Sequence, residues 1–131
     1  MARKLLIAVL LLSLIVELGL AGGLFFARDL MGKMFGLAVS GDTALFLAYI
    51  VGWLCLFVSL VIGLALYQLV NNNPNYATLC YLMGYFWIAI GIAIFVAFHK
   101  PDNLIIDTLK GMLIVGLTMV HQRVAPIGRR R

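Results

Sequence analysis

The chain has 131 residues, 64% of them hydrophobic and only 11% charged, with a formal net charge of +5. Length sets a single domain, and the apolar share exceeds the roughly one half of a globular domain, so a soluble fold is excluded. In a soluble protein the positive charge would suggest nucleic acid; here it reads as membrane topology, with no nucleic-acid partner.

The elements expected are four spans, each near the ~20 apolar residues a bilayer requires. The first is Leu5–Ala27, whose one charged residue is Glu17. A carboxylate at that depth costs on the order of 3 kcal/mol, so it requires a partner, a water-filled cavity or a proton. Arg3-Lys4 before an apolar run also has the layout of a signal peptide, but Glu17 interrupts that run. Gly19 and Gly23 lie one turn apart and permit close helix approach. After this span, Leu30–Gly41 reads as a short interfacial helix, or equally as an ordered loop over the bundle end.

The second span, Thr43–Val70, would be about 42 Å long and must tilt or protrude. Asp42 is placed to N-cap it. Gly52, Cys55, Ser59 and Gly63 share one face for packing, while Tyr49, Trp53 and Phe57 share another. Asn73, followed by Pro74, is placed to cap the third span, Tyr76–Phe98. Ala89, Ala93 and Ala97 recur there every fourth residue, and Tyr81, Tyr85, Phe86 and Trp87 cluster. Pro101 with Asp102 or Asn103 opens the fourth span, Leu104–Val120, which holds Asp107 and Lys110 in its first half. Short connections at Asn71–Asn75 and His99–Asn103 make helices two, three and four antiparallel neighbours. The expected fold is thus all-α, an integral membrane four-helix bundle.

An even number of spans puts both termini on one side, with Arg3, Lys4, Arg123 and Arg129–Arg131. The positive-inside rule makes that side cytoplasmic, and the terminal arginines would lie against anionic headgroups. Cys55 and Cys80 then sit at different depths and form no disulfide.

Depth also selects a partner for Glu17. It lies about 15 Å from the outer end of the first helix and Lys110 about 9 Å from that of the fourth, a gap a lysine stem can bridge. A Glu17–Lys110 pair would fix helix register; alternatively Glu17 titrates or binds a cation, or Arg28–Asp29 reaches the site from the surface. Asn103, Asp107, Lys110, Ile114, Thr118 and His121 form one stripe on the fourth helix. His99 and His121 fall near opposite membrane faces and cannot share a metal or haem. Zinc spacings, phosphate loops, nucleophile elbows and CxxC pairs are absent from the sequence. No cofactor is predicted. Trp53 and Tyr85, with Trp87 beside the latter, lie deep enough to line a pocket for a lipid, quinone or aromatic cation, or to pack between helices.

The layout resembles the DoxX-like small four-helix bacterial membrane proteins: a basic N-terminus, a longer first outer loop, a second helix opening on glycine (Leu47–Gly52), a tight turn and a short last helix. That resemblance implies a bacterial inner-membrane protein acting as an accessory or assembly subunit and carries over no catalytic residue. Glu17 in the first of four helices, with the aromatics Tyr81–Trp87, also resembles the small multidrug resistance transporters. That likeness implies a proton-coupled carrier working as an oligomer, with Glu17, Tyr85 and Trp87 at its site. Their loops are tight, whereas the first loop here runs Arg28–Gly41. The function expected first is a non-enzymatic accessory or assembly subunit, packing against lipid and other integral membrane proteins or a second copy. The carrier or hydrophobic-ligand-binding bundle is the alternative, and an enzyme acting on a lipid or quinone is third.

Overall fold

The structure is a computed structural model describing residues 1–35, 41–99 and 101–124. All five described elements are helices: α1 (Ala2–Phe26), α2 (Arg28–Phe35), α3 (Asp42–Val70), α4 (Tyr76–Phe98) and α5 (Pro101–Val124). α1, α3, α4 and the Leu104–Val124 stretch of α5 are long and apolar enough to cross a membrane. The third expected span matches α4 end to end. The fourth helix is longer than expected at both ends, because Pro101 is itself the first helical residue, where its fixed φ and missing N–H suit the first turn. α2 begins two residues earlier than the helix expected over Leu30–Gly41; the part of that expectation at residues 36–40 lies outside the described residues.

The chain divides into two compact units, Met1–Leu11 with Ile62–Arg131, and Leu12–Val61. In the first, Leu6, Leu10, Ile62, Leu69, Cys80, Ile114 and Thr118 are fully buried. Its tightest contact is where α4 meets α5. Gly84 and Gly111 let the two backbones touch: a Cβ on Gly84 would stand 3.0 Å from the Gly111 carbonyl oxygen, and one on Gly111 would overlap the Gly84 carbonyl oxygen. Small residues are used this way in membrane bundles because no hydrophobic force drives helices together in lipid, leaving close packing to do it.

The Asn71–Asn75 turn is built almost wholly from its own hydrogen bonds. Asn72 takes the left-handed conformation (φ 56°), which asparagine tolerates better than most residues. The Asn73 N–H reaches the Gln68 carbonyl (2.9 Å) and the Asn72 N–H that of Leu69 (3.3 Å), a Schellman closure of α3. Asn71 Nδ2 donates to the Tyr67 carbonyl (2.9 Å), and Asn73 Oδ1 accepts from the Asn75 N–H (3.0 Å). The cap position of α4 is therefore Asn75, not Asn73 as expected, and the Asn75 side chain makes no capping bond. Asn73 caps the turn before the helix, and Pro74 falls within that turn. Asp42 likewise is the first helical residue rather than the cap, because Gly41 at φ +90° turns the chain just before it. Arg3 supplies the one distant contribution. Its guanidinium donates to the Leu69 (3.1 Å) and Val70 (3.0 Å) carbonyls, satisfying terminal acceptors of α3 with a cation.

In the second unit α2 folds back on α1, with Met31 buried against Gly23. Phe25 of α1 packs against α3, where Gly52 leaves room for it: an added Cβ would come within 2.8 Å of the Phe25 ring. The ring also meets Tyr49 (centroids 5.9 Å) and Trp53 (5.7 Å).

Candidate functional site

The polar residues buried in an otherwise apolar chain define the candidate site. On α1, residues 13, 17 and 21 follow one helical face inward, so Ser13, Glu17 and Ala21 are all buried, Glu17 with 1% of its surface exposed. The stripe expected on α5 also turns inward: Asp107, Ile114 and Thr118 are buried, and Lys110 is half-buried.

Lys110 sits at the centre of a defined group in the first unit. Its ammonium lies 3.1 Å from the centroid of the Trp87 ring, presented by α4 one turn beyond the Gly84–Gly111 contact. It also stands 3.6 Å from Asp107 Oδ1, three residues back on its own helix. The lysine and aspartate side chains keep 17% and 13% exposure, so the pair is substantially withdrawn from solvent. An indole face attracts a cation through its quadrupole, by ~2 kcal/mol or more where water is excluded. Trp87 Nε1 and Thr108 Oγ1 are buried with no hydrogen-bond partner among the described residues. The α4–α5 crossing explains the arrangement: without side chains at Gly84 and Gly111 the helices come close enough for Lys110 to lie on a ring of the neighbouring helix.

Glu17 and Lys110 belong to different units, the former to Leu12–Val61. Around Lys110 the structure brings together two of the residues singled out from the sequence, Asp107 and Trp87. Tyr85 is exposed on another face of α4 and stacks on Tyr81 (centroids 6.4 Å). Trp53 keeps 66% exposure while packing edge-to-face with Phe25. Among the helix-packing residues, Gly23 and Gly52 stand against side chains, and Ser59 is buried, donating to the Cys55 carbonyl (2.8 Å). A Cβ on Gly19 or Gly63 would meet no described atom within 4 Å. Cys55 and Cys80 are not joined in a disulfide, and Cys80 is fully buried.

Gly84 and Gly111 escaped sequence reasoning. Their signal was weak, since the equally lone Gly116 of α5 meets nothing. Also missed was a cavity of about 590 Å³ at the end of α1 and the start of α3, lined by Phe26–Leu30 and by Gly41, Asp42 and Leu45. Among the described residues, no group of three or more His, Cys, Asp or Glu could hold a metal ion.

Comparison with protein-family models, curated proteins and solved structures finds no match to this chain.

Proposed function

We propose that the protein is a non-enzymatic accessory or assembly subunit of the bacterial inner membrane, both termini cytoplasmic, packing through its spans against other integral membrane proteins. The observation that carries this is the outer face of α4. Tyr85, Ala89, Ala93 and Ala97 follow one another every fourth residue, and all four are exposed. A small-residue row turned outward is suited to receive another helix at close range. The sequence bias of Arg3, Lys4, Arg123 and Arg129–Arg131 against Arg28, Lys33 and Lys100 supports the orientation.

Blue-native electrophoresis of gently solubilised membranes tests the reading. The chain is expected in a species larger than itself that is lost in Ala93→Phe but kept in Leu113→Phe, an exposed site on α5. A chain that migrates alone, or a larger species indifferent to Ala93→Phe, refutes it.

The near-complete burial of Glu17 favours a second reading, a proton-coupled carrier or hydrophobic-ligand-binding bundle with Glu17 as the titrating group. Glu17→Gln should then abolish the pH dependence of ligand uptake while the protein stays folded. Transport of unchanged pH profile in that variant removes this reading.

A further inference from the structure

The cavity at the α1–α2–α3 end lies wholly within the second unit and mixes three kinds of lining. Arg28 supplies a cation, Asp29 and Asp42 supply two carboxylates, and Phe26, Leu30 and Leu45 supply apolar wall. Its volume of about 590 Å³ falls in the range of small-molecule sites. We propose that it binds the headgroup of a zwitterionic phospholipid, the phosphate on Arg28 and the ammonium between Asp29 and Asp42.

Charge decides the headgroup class. A purely anionic group would gain from Arg28 but meet two carboxylates, and a purely cationic one would meet the arginine. A headgroup with both charges satisfies all three. Arg28 is held beside the cavity: its Cζ stands 5.4 Å from the Tyr49 ring centroid, a cation–π contact that restrains the guanidinium. The positive dipole end of α3, at Asp42, lies on the same cavity.

Placement and rim select a lipid over a free solute. Phe26 is the last residue of α1 and Asp42 the first of α3, so the cavity is level with headgroups when both helices cross. Phe26 is 91% exposed, and Leu30 and Met34, one turn apart on α2, are also exposed. These side chains suit acyl chains and would be poorly placed in water. The inference requires only that the spans cross a bilayer and is independent of the docking reading.

The test titrates the purified full-length protein in detergent with phosphatidylethanolamine, phosphatidylglycerol, diacylglycerol or soluble phosphoethanolamine, reading occupancy by native mass spectrometry and the thermal unfolding midpoint. Phosphatidylethanolamine is expected to bind saturably and raise the midpoint above the other three. Arg28→Gln should weaken it about tenfold or more, the loss of one charge-assisted contact. Asp42→Asn should erase the preference over phosphatidylglycerol, keeping the proposal testable if the arginine variant does not fold. Lys33→Gln, exposed on α2 and outside the cavity, should change nothing. Equal response to every lipid, or unaltered preference in Asp42→Asn, overturns the site. Protection by soluble phosphoethanolamine equal to that by the lipid overturns the lipid as occupant.

Discussion

Replacing Gly111 by alanine places one methyl group where two helix backbones meet. The new Cβ would overlap the Gly84 carbonyl oxygen and stand 2.9 Å from the Ile88 nitrogen and 2.8 Å from Ile88 Cγ1. A side chain could swing away, but backbone atoms move only with their helix. Clearing the Gly84 carbonyl oxygen, the nearer backbone atom, requires α4 and α5 to part by about 1 Å, a gap that forfeits up to about half of each dispersion contact across the crossing. Overpacking costs about 1–3 kcal/mol; a clash with backbone puts this site in the upper half of that range, and the better helix propensity of alanine returns about 1 kcal/mol. The expected net loss is therefore about 1–2 kcal/mol, a midpoint lower by several degrees. Fully buried Cys80 provides the assay: in a Cys55→Ala background, a thiol-reactive fluorophore reports thermal opening of this unit. Gly116→Ala, where an added Cβ meets nothing within 4 Å, is the control and should be neutral or slightly stabilising. If Gly111→Ala melts at or above the parent temperature, the backbone contact at the α4–α5 crossing is wrong.

Three further predictions concern the turn and the intramembrane lysine. Asn72→Gly should match or exceed parent stability, because glycine adopts φ 56° without strain, whereas Asn72→Val should lose about 1–2 kcal/mol in the same melting assay. Arg3→Gln should lower the midpoint by the equivalent of about 1 kcal/mol, the loss of a charged donor from the Leu69 and Val70 carbonyls; an unchanged midpoint would mean that water serves those carbonyls equally well. Trp87→Phe keeps a ring beneath the Lys110 ammonium and should be milder than Lys110→Met, which takes the cation from buried Asp107; the reverse order of melting temperatures would contradict the contacts at Lys110.

What could be read from the sequence was whatever depends on local pattern. Apolar run length marked the four candidate spans, and helical spacing turned Ser13–Glu17–Ala21 and Asp107–Ile114–Thr118 inward. Proline geometry located the start of α5. Caps were misplaced by one or two residues because several asparagines in succession, or a glycine beside an aspartate, offer competing turn geometries of similar energy. Gly84 meeting Gly111, and Lys110 lying on Trp87, depend on which face of α4 meets which face of α5. That is a long-range choice among several small-residue faces, and local pattern does not rank them. The cavity beside Arg28 was hidden for a related reason: its lining joins residues on either side of a loop, and each of those reads alone as ordinary interfacial punctuation.

The asparagine turn bears on how the protein is made. Apart from Arg3, the hydrogen bonds that reverse the chain between α3 and α4 join residues no more than five positions apart. The turn between α3 and α4 can thus close on its own residues, with no contact from α5 needed to hold it. Arg3 was translated long before and waits at the membrane surface until the end of α3 arrives to receive it. That late hydrogen bond latches an earlier part of the chain to a later one.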